Sequence, residues 1–214
     1  MANHQNIHYD YRKAFFFQFS INICNGDIMT DIALIGERNF LYEKLFQELG
    51  VTYQFLHASI LGSPFLPQFK MIMIPTGFAN PQYSDTLASL ERLKSRLAEF
   101  VGKGGILTVF GPLVQEHNYE WLPIPLKYIG EYGPRDVQAS EHESACPCDM
   151  LRPECDGYLV PGEGFKAVLE DDKDRPIIVA ANYGSGLIVA TSVHEFPAAE
   201  YIQWALNKAK PASI

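Results

Sequence analysis

Apolar residues recur along this chain in short runs closed by glycine, alternating with stretches where they return every three or four positions. Asp31–Gly36 (DIALIG) is such a run and predicts a buried strand. Asn39 can cap a helix carrying Leu41, Leu45 and Leu49 on one face, with Gly50 as its stop. Val51–Leu56 predicts a second strand, and Met71–Pro75 (MIMIP) a third that ends at Thr76-Gly77. Leu87, Leu90, Leu93, Leu97 and Val101 form one apolar stripe, which predicts a single helix over Ser84–Val101. Gly102, Gly104 and Gly105 end it, and Ile106–Phe110 is the next buried strand. This alternation predicts an α/β fold, a parallel sheet with helices on both faces.

Past Pro112 the pattern dissolves. Gln115–Glu154 is rich in Pro, Gly, His and acidic residues and shows no sustained period, so it reads as an irregular excursion over the rim of the sheet. Strands return at Gly157–Val160, Lys166–Glu170, Pro176–Asn182 and Leu187–Ser192. Tyr183-Gly184-Ser185-Gly186 predicts a tight hairpin turn, and Pro197–Lys208 a closing helix with proline in its first turn. Residues 1–28 read as an extension, and 29–214 as one domain with its rim excursion at 115–156. Ala14–Phe19 behind Arg12 and Lys13 has the outline of a signal peptide. Gln18, Ser20 and Asn22 interrupt it and no small-residue cleavage site follows, so the expected location is cytoplasmic.

Composition narrows the partners. The 214 residues, 47% hydrophobic and 20% charged, suit one globular domain with a real core. A net charge of −8 offers no basic surplus for phosphates, so nucleic acid and anionic membrane are not expected partners. No apolar run reaches the length of a membrane-spanning helix.

Ligands of an open parallel sheet bind beyond the carboxyl ends of its strands. That rule gathers Gly36-Glu37-Arg38, Thr76-Gly77-Phe78, Phe110-Gly111-Pro112 and His194-Glu195 on one rim. Three of the surrounding segments carry a family resemblance. IMIPTGFANP resembles the strand and glycine turn of class I glutamine amidotransferase-like domains, LAEFVGKGGILTVFGPLVQ their helix, glycine break and nucleophile strand, and GSGLIVATSVHEFPAAE their closing hairpin and histidine segment. The likeness spans most of Asp31–Asn207 apart from the excursion. It implies a flavodoxin-like, doubly wound, mostly parallel sheet with helices on both faces and a C-terminal β-hairpin addition. Non-catalytic relatives, including trehalose-utilisation-like (ThuA-like) proteins and domains embedded in glycosidases, fit better than true amidotransferases.

The resemblance also implies a cysteine nucleophile on the elbow after the fourth strand, activated by histidine. Phe110 and Gly111 occupy that elbow, and neither is a nucleophile. His194 matches the family's histidine. Its acid matches poorly, because Glu195 is adjacent and Phe196 stands two residues on. Glutaminase activity is therefore expected to be absent, leaving His194 and Glu195 as the remaining candidates for chemistry. The expected ligand contacts are Glu37, Arg38, Gly77, Phe110, Gly111 and His194. A histidine at a strand end is also a common structural residue, and Glu195 also suits the first turn of a helix.

Cys146, Cys148 and Cys155 follow His142 in the pattern H-x3-C-x-C-x6-C. Three thiolates and an imidazole make a tetrahedral set for Zn²⁺, and Pro147 and Pro153 stiffen the loop. Cu(I), an iron–sulfur cluster, free thiols and a disulfide from Cys155 are the competing readings. Three functions are left open. One is a non-catalytic amidotransferase-like domain that binds a small molecule or protein partner. Another is a metal-dependent hydrolase with a Cys/His metal site near His194 and Glu195. The third is an assembly protein or homo-oligomer that presents Trp121, Leu122 and Ile124 to another chain.

Overall fold

The computed structural model describes residues 22–24, 27–36, 40–139, 152–194 and 196–214. Within them the apolar runs pair into a large sheet. Its strands are β1 (Asn22–Cys24), β2 (Asp27–Ile35), β3 (Tyr53–Leu56), β4 (Gln68–Ile74), β5 (Ile106–Val109), β8 (Val137–Ala139), β10 (Lys166–Asp171), β11 (Pro176–Tyr183) and β12 (Gly186–Thr191). The order is β1-β2-β4-β5-β12-β11-β10-β8, with β3 also paired to β2. The pairs β2–β3, β2–β4, β4–β5 and β5–β12 are parallel. β12–β11, β11–β10, β10–β8 and β1–β2 are antiparallel. Four helices accompany the sheet among the described residues: α1 (Phe40–Glu48), α2 (Thr86–Arg92), α3 (Lys94–Gly102) and α4 (Ala199–Lys208).

Strand alternation divides the core into two faces. Ile32, Leu34, Met71, Met73 and Val189 point to one side, where Tyr42 and Phe46 of α1 and Tyr201, Ile202 and Ala205 of α4 cover them. Ala33, Ile35, Ile72, Ile74, Leu107 and Ile188 point to the other, against Leu90 of α2 and Leu97, Phe100 and Val101 of α3. The central strands are buried on both faces, which is why they read as unbroken apolar runs.

Two local readings change. The stripe over Ser84–Val101 forms two helices, because the chain bends at Leu93 (φ −103°, ψ 11°). The Leu93 amide donates to both the Ser89 and Leu90 carbonyls, so the turn tightens while the apolar stripe continues across it. The excursion is also more regular than its sequence suggests. β6 (Glu116–Asn118), β7 (Leu126–Pro134) and β9 (Glu154–Pro161) form a second, antiparallel sheet in the order β6-β7-β9. Trp121, Tyr128 and Leu159 from this region are at most 1% exposed and belong to the core on the α2–α3 face. Trp121 is 1% exposed and Leu122 8%, and Ile124 is partly buried against the same core. Among the described residues no helix is long and apolar enough to cross a membrane.

Candidate functional site

The carboxyl ends of the parallel strands are tied to one another by main-chain hydrogen bonds. Gly36, past β2, donates its N–H to the Leu56 carbonyl at 3.1 Å. Phe110, past β5, donates to Ile74 at 2.9 Å, and Gly77, past β4, donates to Gly111 at 2.8 Å. Gly77 holds φ +92°, a left-handed turn that suits glycine. Its amide is the donor beside the elbow, and it is already engaged.

Phe110 is 1% exposed. Its ring packs edge-on against Tyr42 of α1 at 6.3 Å, and Tyr42 in turn meets Phe196 at 4.6 Å. The elbow therefore carries an aromatic ring turned into the core.

β9 crosses from the small sheet to the rim. Asp156 N–H donates to the Ser192 carbonyl and His194 N–H to the Glu154 carbonyl, both at 2.8 Å, with Cys155 opposite Val193. Alternation then sends Cys155 and Val193 into the core and Glu154, Asp156 and His194 to the other side. Asp156 Oδ1 lies 2.8 Å from His194 Nδ1. The acid side chain is 2% exposed and the imidazole 49%. A carboxylate only accepts, so Nδ1 donates, and the neutral ring keeps Nε2 as its acceptor. Tyr132 donates its hydroxyl to Glu154 Oε2 at 2.6 Å, and its ring stands edge-on to His194 at 6.2 Å. A Cβ placed on Gly111 would lie 3.2 Å from Asp156 Oδ2, so the elbow backbone runs directly beside the pair. Burial first, then the charge of Asp156, push the Tyr128 hydroxyl above its ordinary range and keep it protonated.

Of the sequence-derived site, Gly77, Gly111 and His194 come together on this edge, with Phe110 beneath them. Glu37, Arg38 and Glu195 lie outside the described residues, as do His142, Cys146 and Cys148. Cys155 is 0% exposed, and its Sγ lies 3.9 Å from the Pro153 carbonyl. Among the described residues no group of three or more His, Cys, Asp or Glu side chains is placed to hold a metal ion. The residue that sequence reasoning missed is Asp156. It is 38 positions from its histidine, and only the pairing of β9 with the chain past β12 brings the two together.

No protein-family model and no curated protein sequence matches the chain. Solved structures match in shape. One, from Thermoplasma acidophilum and provisionally assigned to GMP synthase, is 12% identical with a TM-score of 0.51, over 83% of this chain and 92% of that one. Cytoplasmic protein STM3548 of Salmonella typhimurium is 12% identical with a TM-score of 0.50, over 84% and 99%. A β-galactosidase of Bacillus circulans aligns at 12% identity and a TM-score of 0.47, and the chain spans about 30% of that enzyme's length. At these identities the likeness is one of fold alone: the chain is a mixed α/β protein.

Proposed function

We propose that this protein is a non-catalytic, amidotransferase-like domain that binds a small molecule or a protein partner at the carboxyl edge of its sheet. The parallel strands run β3-β2-β4-β5-β12, an order that supports a flavodoxin-like, doubly wound reading with β11 and β10 as an added hairpin. The observation that carries the proposal is the contrast at the elbow. Phe110 is sealed at 1% exposure where a nucleophile would have to be presented, while the neighbouring His194 stays half-exposed and anchored on Asp156. Acyl transfer also needs a donor for the developing oxyanion, and the Gly77 amide is held by Gly111. What is left is a recognition surface with one oriented imidazole.

Among the described residues, Cys155 of the Cys-rich segment faces the core. Among the described residues nothing in the site favours a metal-dependent hydrolase over this reading. We place the protein in the cytoplasm, where Cys155 stays reduced.

Incubation of the purified protein with L-glutamine tests the proposal. Ammonia release is expected at background. Release above background that disappears in His194→Ala would overturn it. Phe110→Cys tests the elbow itself: the new thiol, turned into the core against Tyr42, is expected to alkylate with iodoacetamide no faster than Cys155, which lies in the same core. A thiol at position 110 that reacts much faster than Cys155 would show that the elbow is open to a reacting group and would overturn the proposal.

A further inference from the structure

Three stretches of chain bring polar groups to one open patch of the rim. The bridge between Cys155 and Val193 sets Glu154 opposite His194 on the outward face, with Cβ atoms about 5 Å apart. β7 adds Tyr132, whose hydroxyl donates to Glu154 Oε2 at 2.6 Å and whose ring lies 6.2 Å from the imidazole. Tyr132 is 65% exposed, Glu154 is exposed, and the imidazole is half-exposed.

The buried Asp156 fixes the histidine from behind. It holds the Nδ1–H, so the Nε2 lone pair lies on the far side of the ring. Among the described residues Nε2 makes no hydrogen bond. The bond from Tyr132 engages one oxygen of Glu154 and leaves the carboxylate its charge. Arg135 and Arg152, the cations on the same stretches, pair with Asp171 and Asp136.

A lone pair, a carboxylate and an exposed ring share one preference. The first two accept hydrogen bonds and do not donate, and the face of an aromatic ring attracts cations. Glu154 repels an anion, and the net charge of −8 extends that field beyond the patch. A neutral hydroxyl meets the lone pair and leaves the charge and the ring unused. A primary ammonium meets all three groups at once.

We propose that this patch, taken as the recognition surface inferred above, binds a primary ammonium group. His194 Nε2 accepts one of its N–H bonds, Glu154 supplies the opposite charge, and Tyr132 supplies the ring face.

The probes are butylammonium, 1-butanol and butyrate, which share a short alkyl chain, and tetramethylammonium, a cation without an N–H. Each is titrated into the full chain at pH 8 and constant ionic strength. At that pH free imidazole is neutral and an alkylammonium keeps its proton. The imidazole resonances of His194 in ¹⁵N-labelled protein, assigned by their loss in His194→Gln, report binding. Butylammonium is expected to shift them saturably and to bind about tenfold more tightly than butanol, with no response to butyrate. Tetramethylammonium is expected to bind several-fold more weakly than butylammonium. Glu154→Gln, whose amide oxygen can still accept from Tyr132, is expected to lose about threefold in affinity for butylammonium and none for butanol. Nα-acetyl-lysine methylamide carries the same butylammonium on a peptide unit. Tighter binding than butylammonium assigns the group to the lysine of a protein partner, and weaker binding assigns it to a free amine.

Butanol or butyrate binding as tightly as butylammonium would overturn the proposal and still leave a recognition surface at the rim. Tetramethylammonium matching butylammonium would overturn it as well, because no N–H would then reach Nε2. So would the absence of any response from His194. Failure of the underlying reading shows separately, as ammonia release from glutamine.

Discussion

Asp156 and His194 show how much one side chain decides at this rim. The carboxylate is almost fully covered, yet it lies 2.8 Å from Nδ1 of a half-exposed ring. It fixes which nitrogen carries the proton and which faces outward. Asp156→Ala removes the acceptor and leaves the Nδ1–H without its partner, so it should cost about 1–3 kcal/mol in urea denaturation. Asp156→Asn should cost less, because its amide oxygen can still accept from Nδ1. Equal midpoints for the alanine variant and the parent would show that the pair contributes nothing. The histidine was legible in the sequence because it ends an apolar strand. Its acid was not, since the neighbour that looked like a candidate, Glu195, is next in the chain, whereas Asp156 arrives from another strand. Phe110 was legible as the residue that closes an apolar strand. That its ring is turned inward against Tyr42 depends on α1, which the elbow's own residues do not reveal.

The strands that could be read are those whose partners repeat their own chemistry. β2, β4, β5 and β12 are apolar on both faces, so each announces itself without reference to its neighbours. β7 and β9 do not. Gly130, Gly133 and Pro134 interrupt β7, its register slips between Gly130 and Gly133, and its partner begins twenty residues after β7 ends. Gly157 shows why these two strands can approach so closely. A Cβ there would lie 2.0 Å from the Ile129 carbonyl oxygen and 2.8 Å from the Tyr128 ring. Gly157→Ala should therefore destabilise the protein by about 3 kcal/mol or more, because backbone on the facing strand cannot move aside. Gly50→Ala makes the comparison. Its φ is +66° with nothing within 4 Å, so only the left-handed strain remains, about 1–2 kcal/mol. Thermal denaturation should rank them in that order. The reverse order would mean that β7 and β9 are not packed as closely as their glycine allows.

At the scale of the whole molecule, two sheets have to stay docked for the rim to exist, since β9 supplies Asp156 from one sheet and the chain past β12 supplies His194 from the other. An ion network fastens them. Asp171 at the end of β10, 0% exposed, accepts from Arg135 Nη1 and Arg175 Nε, both at 2.8 Å, and Arg175 also reaches Glu131 on β7 at 3.0 Å. Burial by itself would raise the Asp171 pKa. Hydrogen bonds from the Arg175 side chain and amide, the Lys173 amide and Arg135 outweigh it and hold the acid at about 2. A carboxyl group depressed below its unfolded value stabilises the fold at pH values above that unfolded value. This contribution is lost as pH falls through the folded one, here from about pH 4 down to about pH 2. Asp171→Ala takes from Arg135, itself only 6% exposed, its 2.8 Å ion partner and leaves it the Glu131 carboxylate at 3.5 Å, so it should cost about 3 kcal/mol at neutral pH. The stability difference between parent and variant should then shrink as pH is lowered across that window, because acid removes from the parent the charge that the mutation removes outright. Denaturation curves of both proteins at a series of pH values test this. A difference that stays constant down to pH 2 would mean that apolar packing of Tyr128 and Leu159, and not this carboxylate, holds the small sheet in place.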